Sequence, residues 1–219
     1  MKTYDTFFKS ENHDVLLIQP PILKHTTYDL QDEVQSNYWK SLEKVGKLVG
    51  DLPIEPNWGL LYLASSLKAN NISVQLIDFH LYDFIKFNKV KTFITEEEIE
   101  KILRRKKFKV VGISSITRSH YRALKIAEIC KKIDPSCIVV LGGIHFSFIA
   151  EETITKYSFI DAIIRGEGEN VLVEFVKNYN DRDKWKKLTG IIYRDDEGNI
   201  INNEGFNIIS VFFFAACLA

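Results

Sequence analysis

The residues of this chain best suited to chemistry stand where apolar runs stop. In VVLGGIHFSF, residues 139–148, an apolar run breaks into Gly142-Gly143, and a lone imidazole, His145, follows between large apolar side chains. Other stops are Gln19-Pro20-Pro21, Asp78, Ser114-Ser115-Ile116-Thr117 and Gly166-Glu167-Gly168-Glu169. Two of these ends are glycine-rich and one is hydroxyl-rich, and none pairs a nucleophile with a base. Glycines let a bulky molecule approach the backbone and hydroxyls donate to its polar atoms. The set therefore suits holding a large cofactor better than breaking bonds with side chains. No catalytic residue and no metal ligand is assigned. A plainer reading stands beside this one: paired glycines make a turn, serines satisfy strand-end backbone groups, and Asp78 caps a turn. On that reading Trp58 and Tyr62 are core residues.

The run Arg165-Gly166-Glu167-Gly168-Glu169-Asn170-Val171 half-matches the dinucleotide fingerprint, but Val171 stands where the third glycine belongs. The motif also follows the last strand rather than the first, which makes a nicotinamide cofactor a weak reading. Carboxylates at a helix start also oppose the helix dipole. The three cysteines, Cys130, Cys137 and Cys217, are too few and too scattered for a disulfide framework, and Cys130 reads as a core residue.

With 29 basic and 29 acidic side chains the formal net charge is zero, which argues against nucleic acid as a partner. The first residues, MKTYDTFFKSENHD, have no apolar centre of the kind a signal peptide carries, so the expected location is cytoplasmic. Residues 206–219 (FNIISVFFFAACLA) are strongly apolar but fall short of the roughly 20 residues a membrane helix needs. They read as a buried strand or the end of an interrupted domain, and no membrane partner is expected.

The elements that would position the strand-end residues follow from apolar periodicity. Strands are predicted at 14–19, 74–77, 110–115, 138–141 and 161–164, and helices at 58–69, 95–105, 119–133, 148–157 and 170–178. Thr95 followed by Glu98 is a capping-box pair. Continuously apolar strands alternating with helices predict an α/β fold, a doubly wound five-stranded parallel sheet, with a C-terminal β-hairpin at 188–201. Three segments result: a tail at 1–13, a main domain at 14–183 containing an insertion or lid at 22–56, and a connector at 184–219.

Six motifs in order, QPP, PNWGLLYLASSLK, VQLID, VVGISSIT, VVLGGIHFS and GEGE, resemble the cobalamin-binding domain of cobalamin-dependent radical S-adenosylmethionine enzymes. The resemblance covers about residues 14–180. LTGIIYRDDEGNII resembles that family's connector to its barrel domain. The resemblance implies a Rossmann-like fold with cobalamin as cofactor, the corrin ring across the strand ends and its nucleotide tail in a slot. Gly142 and Gly143 would make room for the tail, with Gly166 and Gly168 on the far side, and Ser114, Ser115 and Thr117 would donate hydrogen bonds. Gln19, Pro20, Trp58, Gly59, Asp78, His145 and Glu167 complete the expected contacts.

Cobalt ligation from the protein is not expected. The D-x-H-x-x-G motif of another cobalamin branch is missing after the first strand, where Gln19 to His25 lacks its aspartate and glycine, and Asp78-Phe79-His80 imitates it only by coincidence. His145 reads as flanking the cofactor. The C-x-x-x-C-x-x-C motif that holds an iron–sulfur cluster is also missing from these residues. The cluster and S-adenosylmethionine are thus expected in a separate barrel, in cis or in trans, with methyl transfer as the favoured chemistry. The chain alone is expected to be non-catalytic. Two alternatives remain open. One is a flavodoxin-like regulatory or interaction domain that no longer binds a corrinoid, its slot plugged by Ile116, Phe146, Phe148 or Trp58. The other is a stand-alone enzyme binding a nucleotide at the same edge.

Overall fold

The computed structural model of the chain describes residues 13–21, 57–90 and 92–205. The expected tail, the insertion at 22–56 and the apolar ending at 206–219 lie outside the described residues or reach them only at their margins. The apolar runs form strands β1 (Val15–Gln19), β2 (Val74–Asp78), β3 (Val110–Ser114), β4 (Ile138–Gly142) and β5 (Ala162–Ile164). These pair in parallel in the order β2-β1-β3-β4-β5. The register pairs Ser114 with Gly142, which sets the hydroxyl-rich end of β3 beside the glycine-rich end of β4.

Helices α1 (Trp58–Ala69), α2 (Phe79–Val90), α3 (Glu96–Leu103), α4 (His120–Ile133), α5 (Ile144–Phe148), α6 (Ala150–Lys156), α7 (Glu169–Lys177) and α8 (Arg182–Trp185) complete the doubly wound α/β fold. The capping box closes on α3: Thr95 Oγ1 accepts from Glu98 N, and Glu98 Oε2 accepts from Thr95 N. The predicted hairpin forms as β6 (Ile191–Arg194) and β7 (Ile200–Asn202), and it extends the sheet. β6 pairs antiparallel with β5 through Ala162–Tyr193 and Ile164–Ile191, so the described sheet has seven strands where five parallel ones were expected. Ile191, Ile192 and Tyr193 are fully buried there, and they cover an edge that β5 would otherwise leave unpaired.

Strand side chains alternate between two cores. Leu16, Ile18, Val111, Ile113, Val139 and Leu141 meet Leu103, Ala123, Ile126, Phe146 and Ile154 on one face. Val15, Leu17, Val110, Val140 and Ile164 meet Leu60, Leu67, Leu172 and Phe175 of α1 and α7 on the other. Asp161 ties the β4–β5 region together: its Oδ2 accepts from Val139 N at 2.7 Å, and it pairs with Lys131 at 2.8 Å and Arg182 at 3.5 Å. Arg165, just past β5, donates from Nη2 to Asn202 Oδ1 at 2.9 Å and to the Asn203 carbonyl at 2.5 Å. Its backbone N–H donates to the Gly190 carbonyl at 2.8 Å. No described helix is long and apolar enough to cross a membrane.

Candidate functional site

A cavity of about 410 Å3 lies between the sheet and helices α1 and α7, reaching the carboxyl ends of the central strands. Leu17, Gly112 and Val140, neighbours in one cross-strand row, form its floor together with Ile164. The middle member of that row has no side chain. Gly59, Leu60 and Leu63 of α1 form one wall, and Gly168, Glu169 and Leu172 form another. Ser114, Gly142, Gly143, Gly166 and Glu167 complete it at the strand ends, with Ser147 and Phe148 from α5.

The glycines do different work. A Cβ on Gly112 would approach Leu17 Cδ2 to 2.8 Å, and one on Gly168 would approach Leu63 Cδ2 to 3.2 Å. The absence of both side chains keeps the space open and the helices close. A Cβ on Gly142 would meet nothing nearer than 3.7 Å, so this position offers room. Gly143 is a case for the plainer reading: its φ is +87°, and a Cβ there would lie 2.5 Å from the Ser115 carbonyl oxygen. Its turn and its packing require glycine whether or not a ligand is present.

Polar groups frame the cavity sparsely. Ser147 Oγ donates to the Gly143 carbonyl at 2.9 Å and accepts from Gly166 N at 3.1 Å, which joins the two glycine-rich loops. Glu169 lines the cavity, and its Oε2 is shielded from solvent without a hydrogen-bond partner. Burial raises the affinity of this carboxyl for its proton, and Glu167 reinforces the effect.

Seven of the sequence-predicted residues meet in the cavity lining: Gly59, Ser114, Gly142, Gly143, Gly166, Glu167 and Gly168. The others sit around it. Gln19, at the end of β1, accepts through Oε1 from Asn57 Nδ2, and Asn57 Oδ1 in turn caps α1 at Leu60 N. Pro20 follows it and is buried. Trp58 opens α1 but is 60% exposed, so it is not core as the plainer reading had it. Asp78 caps α2 by accepting from Leu81 N at 2.8 Å. Ser115 is buried, with its hydroxyl on the Ile116 carbonyl and on Ser119.

Thr117 accompanies His145, whose Nδ1 lies 3.3 Å from Thr117 Oγ1. The His145 and His120 ring centroids lie 4.4 Å apart with the rings tilted by 35°. Burial, and then the neighbouring His120, lower the proton affinity of His145. The pair sits outside the cavity lining. The residues that sequence reading did not single out are Gly112, Ser147, Glu169 and the apolar floor and walls. Gly112 did carry a signal, since glycine inside a strand commonly marks a close approach.

Among the described residues no group of three or more histidine, cysteine or acidic side chains is placed to hold a metal. Cys130 and Cys137 are free and buried. Burial pushes the Cys130 thiol well up and the Cys137 thiol up to about 12, so both are inert core groups.

Comparison with known proteins places this geometry. The family model for the B12 binding domain matches residues 52–176. An anaerobic magnesium-protoporphyrin IX monomethyl ester cyclase of Rubrivivax gelatinosus is 29% identical over 159 residues, covering 71% of this chain and 26% of that protein. An uncharacterized methyltransferase of Pyrococcus horikoshii is 33% identical over 141 residues, 64% of this chain and 28% of its own length. The chain thus spans about a quarter of the length of these curated relatives.

Two solved structures share the fold. The radical S-adenosylmethionine methyltransferase TsrM from Kitasatospora setae, with cobalamin and a [4Fe-4S] cluster bound, superposes with a TM-score of 0.59 at 16% identity. That match covers 92% of this chain and 30% of TsrM. The cobalamin-dependent radical enzyme OxsB, with aqua-cobalamin and S-adenosylmethionine bound, gives 0.57 at 20% identity, covering 94% and 24%. Because the family match takes in α1 through most of α7, and with them both walls of the cavity, this chain belongs to the B12 binding domain family.

Proposed function

We propose that this chain binds a cobalamin-type corrinoid across the carboxyl ends of its parallel strands, with the nucleotide tail in the cavity between α1 and α7. The observation that carries this reading is the bare row position at Gly112, which leaves a slot floored by Leu17 and Val140. The volume falls within the range of about 300–1,000 Å3 usual for small-molecule sites, and an apolar slot with few polar groups suits a flat aromatic base.

In this role Leu60, Leu63, Val140 and Leu172 would pack on the tail, Gly142 would admit it past the strand end, and Ser114 would donate to its oxygens. A tail in the slot leaves its base away from cobalt. No histidine belongs to the described lining, and His145, whose Nδ1 faces Thr117, lies outside it, so the lower cobalt face would carry no protein nitrogen.

When bound, the corrinoid supplies a cobalt centre able to carry a methyl group. The residues of this chain bind it, orient it and exclude water from its tail. We assign the radical chemistry to a radical S-adenosylmethionine barrel, in cis or in trans, which would hold the iron–sulfur cluster; the buried Cys130 and Cys137 are unsuited to ligate one. The parent system on this reading is a radical S-adenosylmethionine methyltransferase-like protein, and free buried thiols accord with a reducing, cytoplasmic setting.

The rival interaction domain requires a plugged slot. Of its four candidate plugs, Phe146 is buried in the opposite core, and Ile116, Trp58 and Phe148 are 42%, 60% and 77% exposed. That arrangement supports the binding reading. The test is to mix the purified chain with hydroxocobalamin in the dark, gel-filter it and record the visible spectrum of the protein fraction. Stoichiometric retained corrinoid is expected, and a colourless fraction of folded protein overturns the proposal. An EPR spectrum of the cob(II)alamin complex is expected to lack nitrogen coupling on the axial position.

A further inference from the structure

Resting on the corrinoid reading, we propose that Glu169 reads the base of the nucleotide tail: its carboxyl group shares a proton with the ring nitrogen of the detached base. It thereby selects corrinoids whose lower base carries such a nitrogen. A base detached from cobalt presents a bare nitrogen lone pair, and in an apolar slot that acceptor must find a donor or bear a desolvation penalty.

The cavity offers few partners. Its floor and the α1 wall are Leu17, Gly112, Val140, Gly59, Leu60 and Leu63, without a polar side-chain atom among them. The Ser147 hydroxyl already donates to Gly143 and accepts from Gly166. Ser114 stands at the end of β3, beside Gly143. Glu169 is different: it opens α7, it lines the cavity, and its Oε2 is sheltered from solvent with nothing to bond. Gly168 holds it close, because α7 begins hard against Leu63 of α1.

The ionisable groups among the described lining residues are Glu167 and Glu169 alone; α1, the strands and α5 contribute none. Burial, and to a lesser degree the negative charge of Glu167, favours a proton on Glu169 against the lowering influence of the Glu169 and Gly168 N–H groups. A carboxylic acid donates to the ring nitrogen, and a carboxylate paired with a protonated ring is the same hydrogen bond with its proton moved across. The pair needs one proton and titrates as a unit. At high pH that proton leaves, two lone pairs face each other, and binding weakens. A glutamine at the same place donates through its amide at any pH.

The experiment titrates the chain with three corrinoids, followed by corrin absorbance: cobalamin, a cobamide whose lower base is a phenol lacking ring nitrogen, and tail-less cobinamide. Wild type is expected to prefer cobalamin over the phenolic cobamide by about tenfold, the worth of one good hydrogen bond in a dry site. Glu169→Leu is expected to erase that preference and Glu169→Gln to keep it. Wild-type affinity for cobalamin is expected to fall as the pH is raised and the shared proton leaves, while Glu169→Gln stays level. Cobinamide affinity should be alike in all three proteins, which also reports that the variants fold.

An unchanged preference in Glu169→Leu overturns the proposal, as does an equal loss for all three ligands or a pH response that survives in Glu169→Gln. If wild type retains none of the three corrinoids, the corrinoid reading itself fails, and the assignment of Glu169 falls with it.

Discussion

The two faces of the sheet are made from the same strands, yet one is filled and the other is hollow at its carboxyl end. Toward α4 and α6 the central strands carry Leu16, Ile18, Val111, Ile113, Val139 and Leu141, all of them branched, and Phe146 of α5 plugs the end of that core. Toward α1 and α7 the corresponding row runs Leu17, Gly112, Val140; Leu17 leans toward the bare glycine position, and a slot stays open beside the row. Each face also hides a carboxyl group, Asp83 on the filled side and Glu169 on the hollow side, each with one oxygen lacking a hydrogen-bond partner. One missing side chain in a row of three thus separates a core from a binding site, and stability and ligand affinity should respond to mutation on opposite faces.

The largest expected effect is on the filled face. Phe146→Ala removes a fully buried ring and should cost about 3–5 kcal/mol of stability by urea unfolding. Corrinoid affinity of the remaining folded protein should change little. On the hollow face Gly112→Val should do the reverse. Its Cβ meets Leu17, at a stability cost of about 1–3 kcal/mol. Cobalamin retention on gel filtration should disappear altogether. If Gly112→Val still binds, the slot is not where the tail lies.

A leucine in each environment sharpens the contrast. Leu103→Ala, in the filled core, should cost about 2–5 kcal/mol, whereas Leu63→Ala, which already borders empty space and is partly exposed, should cost about 1 kcal/mol. Equal losses would mean that the cavity closes in solution.

The smallest effect concerns Asp83. Burial raises its carboxyl from 3.8 to about 6, against the lowering influence of the Ile94 N–H, Arg122 and Lys86, with Glu98 opposing them. The folded chain holds this proton more tightly than the unfolded chain, so ionised Asp83 weakens the fold. The penalty is fully present above about pH 6 and gone below the unfolded value of 3.8. Stability relative to Asp83→Asn should therefore rise as pH is lowered from about 7 to about 5, a difference readable from paired denaturation curves.

Much of the filled face was legible in the sequence, because runs such as VVGIS and IVVLG are apolar on both sides and need no partner to be recognised as strands. The Thr95 capping box and the Asp195–Asn199 turn of the hairpin are local devices and were equally readable. What continuous apolarity conceals is which side of each strand meets which helix. VVGIS gives no sign that Gly112 lies beside Leu17 and under α1, a fact of register between segments far apart in sequence. Ser147 was hidden for the same reason, since its bonds to Gly143 and Gly166 form only after β4 and β5 pair. The segment FHLYDFIKFNKV, rich in aromatic residues, gave no clear helical period even with Asp78 ahead of it as a cap, although it folds as α2.

Arg165 fixes how the rim of the slot behaves. Its guanidinium grips Asn202 and Asn203 at the end of β7, its amide is bonded to Gly190, and the next residue, Gly166, is held by Ser147. This short loop, glycine-rich and otherwise free to sample many shapes, has three restraints drawn from three parts of the chain. Its disorder is surrendered when the sheet assembles, and so a molecule arriving later meets a rim with little freedom left to lose.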